Sequence, residues 1–367
     1  MRVVAIAART LRWPIASHGA ARGRSERAAV ILEVRSDRGS VGLGEAAPLP
    51  GMSGDSIEET EAAIAAFARR APVEIDDVDA AFALAAGAPP AARFAIETAL
   101  LDALAREHGV SLASLLRPPG VSAARTLALA AVVDDVPSAR AAYAAGIRCF
   151  KIKLTADDDP ARVSAIHAAF PDVTIRIDGN RTWPRDEVAA RVAALAFPGI
   201  AYIEEPCRNT HLVLDRAAAW FALDESLVEL SPGERAVALQ RDALVALVLK
   251  PTLLGGLAAV RALAAEARAA GVAPVLSHGL EGPIGTAACA ELALAVAVDP
   301  APDFQRAHAR PRPQLALPVG LAAHPALSAW RLAVPQLAAD HVHAAAAPGL
   351  GFVGLDLEGA VRACGGV

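Results

Sequence analysis

From Thr126 to Ser277 the chain repeats one unit: a short apolar run that reads as a strand, a polar or charged residue at its end, then an alanine-rich stretch with helical spacing. The apolar runs are 126–132, 149–154, 173–178, 201–205, 220–224, 244–250 and 273–277. Helices such as 160–170, 185–196 and 257–269 separate most of them. Apolar strands alternating with helices imply parallel strands buried on both faces. Repeated seven or eight times within residues 121–317, the unit predicts a closed (β/α) barrel rather than an open sheet.

The strand ends then acquire meaning, because a charged residue that closes a barrel strand stands at the C-terminal mouth, where active sites form. Five successive strands end in this way: Lys151-Ile152-Lys153, Asp178-Gly179-Asn180, Glu204-Glu205-Pro206, Asp224-Glu225-Ser226 and Lys250-Pro251. Side chains alternate along a strand, so Lys151 and Lys153 share the inward face. Asp178, Glu204 and Asp224 sit one strand–helix unit apart and can converge on a point. Three carboxylates so close cannot all stay ionised without a cation among them. An all-oxygen donor set selects a hard ion, Mg²⁺ first and Mn²⁺ second. Any one of these acids alone reads equally well as a helix cap or a solvated loop charge. Lys153 and Lys250 flank the acids from the strands before and after, and a lysine in a dry site beside another cation can serve as a base.

The first third has a different rhythm. Runs 3–11, 28–34 and 40–46 read as an antiparallel meander, followed by helices over 55–69 and from Pro90 to Arg106, the latter ended by Gly109. The tail after Asp299 is rich in proline and is expected to wrap back over this α+β unit.

Composition removes other destinations. Of the residues, 54% are hydrophobic, 20% charged and 4% aromatic, with a mean hydropathy of +0.37. A membrane span needs about 20 consecutive apolar residues. The best stretch, 285–298, carries Glu291, and 257–275 is broken by Arg261, Glu266 and Arg268. A net charge of -5 argues against a nucleic-acid partner. No acid precedes Glu26, as in a transit peptide, but 3–11 reads as a strand. Cys149, Cys207, Cys289 and Cys364 form no CxxC pair and are expected to be reduced thiols in a cytoplasmic protein.

Taken in order and spacing, Lys151-Ile152-Lys153, Ile177-Asp178-Gly179-Asn180, Ile203-Glu204-Glu205-Pro206-Cys207, Leu223-Asp224-Glu225-Ser226 and Leu249-Lys250-Pro251 resemble the muconate-lactonizing subgroup of the enolase superfamily. The resemblance implies an α/β fold: a modified (β/α) barrel over 121–317 and an N-terminal α+β capping domain over 1–120, with 318–367 packing back on the cap. It implies Mg²⁺ on Asp178, Glu204 and Asp224, and abstraction of a proton α to a carboxylate. Lys153 would be the base on one face and Lys250 would lie on the other. Lys151, Asn180 and Glu225 would orient these groups or touch substrate. Within the subgroup the segment Gly42 to Ser53 and the run Glu204 to Cys207 resemble the o-succinylbenzoate synthase family, which implies a syn dehydration in menaquinone biosynthesis.

The same site in related families racemises N-acylamino acids or epimerises dipeptides, with both lysines exchanging protons. Dipeptide epimerases usually carry an acidic pair after the last strand; here Asp303 stands alone, followed by Gln305 and Arg306. Muconate cycloisomerase is a third option that no feature favours. Acid-sugar dehydratases pair a histidine after the seventh strand with an aspartate after the sixth. His278 fills the first place, but Lys250 occupies the second. His278 is therefore either a substrate contact or a structural histidine. The cap is expected to lay 15–27 and 48–53 over the mouth, with Arg22, Arg24 and Arg27 as candidate partners of a second substrate carboxylate and Met52 against its ring. The expected partner is a small-molecule carboxylate, not nucleic acid or membrane.

Overall fold

The computed structural model describes residues 1–15, 24–117, 124–195, 199–216, 218–297 and 317–365. The chain opens with three strands, β1 (Arg2–Pro14), β2 (Glu26–Ser36) and β3 (Val41–Ala46). The helix α1 (Ile57–Ala68), the short strand β4 (Val73–Glu74), and the helices α2 (Val78–Ala85), α3 (Pro90–Glu107) and α4 (Leu112–Leu116) complete the cap. The strands form an antiparallel sheet in the order β3-β2-β1-β4. Ser56 starts α1 with a reciprocal cap: its side chain accepts from the Glu59 N–H while the Glu59 carboxylate accepts from the Ser56 N–H. Pro90 sits at the first position of α3, where its missing N–H costs nothing. That helix is buried over most of its length and lies directly on β3. The contact is close because Gly42 and Gly44 face it. A Cβ on either would stand 2.0 Å from the Ala99 or Ala95 carbonyl oxygen of α3.

The barrel follows: β5 (Thr126–Ala128), β6 (Ala130–Val132), α5 (Val136–Ala144), β7 (Cys149–Lys153), α6 (Ala161–Ala169), β8 (Thr174–Asp178), α7 (Val188–Ala194) and β9 (Ile200–Glu204). Then come β10 (Phe221–Leu223), α8 (Pro232–Leu239), β11 (Leu244–Leu249), α9 (Pro251–Leu254), α10 (Gly256–Ala269), β12 (Ala273–Leu276) and α11 (Pro283–Val296). Seven strands, β6 to β12, pair in parallel in chain order. The ring is closed by Val319 and Gly320, which bridge in parallel to Leu129 and to Ser277. The Ala130 N–H donates to the Val319 carbonyl at 2.9 Å and the Gly320 N–H to the Leu276 carbonyl at 2.8 Å. The eighth barrel position thus lies at 319–320, well beyond Asp303.

Two local readings change. The run 126–132 is two strands, because β5 leaves the ring to pair antiparallel with β13 (His341–His343) of the tail. Between β9 and β10 the repeat holds only the short 3₁₀ turn Thr210–Leu212 among its described residues. The tail ends in α12 (Leu357–Ala363), which packs against β1 and β2. Trp330 meets Trp13 edge to face at 5.2 Å, and the Trp13 indole N–H donates to the Ala326 carbonyl at 2.8 Å. No described helix is long and apolar enough to cross a membrane.

Candidate active site

Parallel pairing levels the strand ends. Lys153 is opposite Asp178, and Asp178 opposite Glu204, across β7, β8 and β9. Asp224 directly follows β10, two residues after Ala222, the partner of Glu204. One rung lower, Lys151, Arg176 and Tyr202 align on the same inward face. Lys151 is long enough to reach up from that rung. Its Nζ lies 2.8 Å from Asp178 Oδ2 and 2.7 Å from Glu204 Oε1, while the Lys250 ammonium pairs with Asp224. The Lys153 ammonium donates to Asn180 Oδ1 at 3.2 Å, and the Asn180 N–H donates to Asp178 Oδ1 at 3.0 Å. Asn180 adopts φ +45°, a left-handed conformation that asparagine tolerates better than most residues.

Behind this layer the buried Glu205 carboxylate accepts from the Asp224 N–H at 2.9 Å, the Ser226 N–H at 2.8 Å and the Ser226 hydroxyl at 2.9 Å. It holds the end of β10 and so aims Asp224. Glu225 Oε2 is buried without a hydrogen-bond partner among the described residues.

The electrostatics follow from crowding charge in a dry mouth. Burial pushes Glu204 up to about 8; Lys151 opposes the rise, and Asp178 and Asp224 add to it. Burial also raises Asp224 against the pull of Lys250. Asp178 goes the other way, because Lys151 and Lys153 outweigh its burial. The lysines differ as well. Burial lowers Lys153, with help from Lys151 and Lys250 and against Asp178. Burial acts on Lys250 too, but Asp224 and Glu225 outweigh it and hold the ammonium above its usual value.

Among the described residues no group of three His, Cys, Asp or Glu side chains is arranged to hold a metal ion. The donor set nevertheless suits one in kind. Three buried carboxylates meet on adjacent strand ends, and repulsion from Asp178 and Asp224 adds to the upward shift that burial gives Glu204. The ammonium groups of Lys151 and Lys250 supply the neutralising charge here. For a hard divalent cation to bind, these ion pairs must open.

The acids and lysines line a cavity of about 1060 Å³ together with Asn180, Glu225, His278, Arg24 and Met52. Of the side chains singled out from the sequence, the acids, the lysines, Asn180, Glu225, His278, Arg24 and Met52 are therefore brought to one place. Arg24 reaches it from the cap, its guanidinium 3.4 Å from the Pro50 carbonyl. Arg27 does not: it is 2% exposed and its guanidinium is spent on the carbonyls of Ala47 and Pro48 in the lid and of Gly279 and Leu280 after β12. It ties cap to barrel and is no substrate cation. Arg22 and Asp303 lie outside the described residues. The wall after the closing residues is formed by Ala322, Ala323 and His324, and the run Leu321 to His324 carries no acid.

Sequence reasoning missed Arg176, Tyr202 and His324. The first two stand two residues before Asp178 and Glu204, so strand alternation alone could have found them. Their side chains stack, with the guanidinium 4.9 Å from the phenol ring centre, beneath the carboxylates. His324 carries no local signal and reaches the cavity only by ring closure.

Known proteins share this fold. Residues 2–117 match the family described as mandelate racemase/muconate lactonizing enzyme, N-terminal domain, and residues 134–356 the family described as enolase C-terminal domain-like. The chain is 33% identical to the L-Ala-D/L-Glu epimerase of Escherichia coli (strain K12) over 199 residues, 53% of this chain and 60% of that protein, less than two thirds of its length. It is 28% identical to the o-succinylbenzoate synthase of Yersinia pseudotuberculosis serotype I (strain IP32953) over 270 residues, 69% of this chain and 74% of that one. The solved dipeptide epimerase from Methylococcus capsulatus, complexed with Mg and the dipeptide L-Arg-D-Lys, superposes with a TM-score of 0.74 at 26% identity, covering 96% of this chain and 100% of that chain.

Proposed function

The chain belongs to the enolase superfamily, and we propose that within it the protein is a Mg²⁺-dependent carbon–oxygen lyase, an o-succinylbenzoate synthase that dehydrates 2-succinyl-6-hydroxy-2,4-cyclohexadiene-1-carboxylate. One observation carries the choice over a dipeptide epimerase. The wall beyond the closing residues, Ala322 to His324, has no carboxylate to pair with a substrate ammonium. Superposition on a dipeptide epimerase supports the shared scaffold, not the shared substrate.

The geometry supports the following roles. When bound, Mg²⁺ on Asp178, Glu204 and Asp224 supplies positive charge at the substrate carboxylate. Lys153, whose pKa is lowered by burial and by its neighbouring cations, takes the α-proton as a neutral amine. Lys250, which faces Lys153 across the acids from the end of β11, meets the negative charge that develops on the substrate. Lys153 then returns its proton to the departing hydroxide, which leaves as water while the ring becomes aromatic. Proton and leaving group depart from one face, so a single lysine serves both steps.

The test is turnover of the cyclohexadiene substrate by purified protein with Mg²⁺, followed by absorbance. The aromatic product is expected, and Lys153→Ala is expected to abolish it. Absence of product alongside fast racemisation of N-succinylamino acids would make the protein an isomerase.

A further inference from the structure

The cavity has a second polar feature, made by two histidines that come from different segments. His278 follows β12, and His324 follows the ring-closing residues 319–320. Both line the cavity, and their rings stack with centres 4.0 Å apart and planes inclined by 28°.

The tautomer of His278 follows from its surroundings. The Leu280 N–H donates to His278 Nδ1 at 3.3 Å. A neutral imidazole that accepts at Nδ1 carries its proton on Nε2. Burial, His324 and the ammonium groups of Lys250, Lys151 and Lys153 all oppose a second proton. His278 Nε2 has no hydrogen-bond partner among the described residues, and it is not sealed from the cavity. The ring therefore offers one neutral donor to whatever the cavity holds.

Its orientation is built in from two sides. Leu280 sits at φ +63°, a left-handed conformation uncommon for leucine, and the buried Arg27 guanidinium donates to its carbonyl at 2.9 Å. On the other face lies His324, itself 8% exposed and 3.3 Å from Thr286 Oγ1 of α11.

We infer that His278 Nε2–H is a substrate subsite that donates a hydrogen bond to an acyl oxygen on the arm beyond the reacting carbon, and that His324 is the positioning residue that holds the ring by stacking. The inference rests on the reading of the substrate as a carboxylate with an acyl arm, and it sets the class: ketone or amide arms are accepted, free amines are not. A donor cannot accept from an ammonium group, and nearby lysines repel one.

The subsite is tested by binding to the Mg²⁺-loaded protein. The probes are o-succinylbenzoate and 4-(2-carboxyphenyl)butanoate, in which a methylene replaces the ketone. The wild type is expected to bind the ketone about ten-fold more tightly, the worth of one shielded neutral hydrogen bond. His278→Phe keeps a ring in the stack without the donor and is expected to bind both alike. His324→Ala is expected to erode the discrimination and raise KM more than it lowers kcat, and His324→Phe to restore it. Equal binding of both probes by the wild type, or discrimination surviving in His278→Phe, would overturn the subsite. Failure of the synthase reading shows up separately, as no o-succinylbenzoate formed or bound. The same comparison then passes to N-acetylalanine and 2-methylpentanoate, in which an uncharged hydrocarbon chain replaces the acetamido arm. Discrimination there keeps the subsite, and its absence, or binding of neither class, overturns it.

Discussion

At the scale of single residues, charges in this protein work because burial is asymmetric. Glu45 shows it outside the catalytic layer. It stands one residue before the end of β3, is fully buried, and accepts from the N–H groups of Gly282 and Gly285 at the start of α11. Burial nonetheless pushes its carboxyl up to about 7, the two backbone donors opposing. Between its ordinary value near 4.5 and about 7 the folded protein keeps a proton that the unfolded chain has lost, so stability falls as pH rises through that window. The share belonging to this residue is at most about 3 kcal/mol. Thermal melts from pH 5 to 8 are expected to show a steeper decline for the wild type than for Glu45→Gln; equal slopes would refute the assignment. The convergence of the candidate acids and lysines was legible for a simple reason: each stands at the end of an apolar strand, and Leu244 to Leu249 leads straight to Lys250. Arg27 was not legible, because nothing local distinguishes an arginine that meets a ligand from one whose guanidinium is consumed by four backbone carbonyls from two domains.

At the scale of elements, the alanine-rich composition has a mechanical consequence. Small side chains let helices approach strands closely, and α3 on β3 is the extreme case. Gly44→Ala would place a Cβ 2.0 Å from the Ala95 carbonyl oxygen, a backbone atom that cannot rotate away. The expected loss is about 3 kcal/mol, read as a lower denaturation midpoint with an unchanged slope. Most strand and helix positions were readable because period and capping signals agree, as in the Ser56 and Glu59 box of α1. The split of 126–132 into β5 and β6 was not, since both halves are equally apolar. Only the arrival of β13, whose Val342 pairs with Leu127, separates them.

At the scale of the whole molecule, the three carboxylates come from three strands, so a cation that binds them stabilises the assembled barrel over its unfolded chain. Millimolar Mg²⁺ is expected to raise the melting temperature, by about 2.7 kcal/mol of stability at a hundred-fold excess over Kd. Asp178→Asn is expected to remove the shift; an unchanged shift would place the ion elsewhere. From order along the chain alone came the barrel, the N-terminal α+β unit and the convergence of acids and lysines, while the capping role was what the motif resemblance implied. These depend on strand period and on the rule that polar strand ends meet at one mouth, both local properties. Ring closure by Val319 and Gly320, the acid-free wall that follows them, the stacking of His324 on His278 and the burial of Arg27 were decided only by the tertiary structure. Each joins segments far apart in sequence, and such a contact is selected by the shape and polarity of the assembled surfaces, which no short stretch of chain encodes.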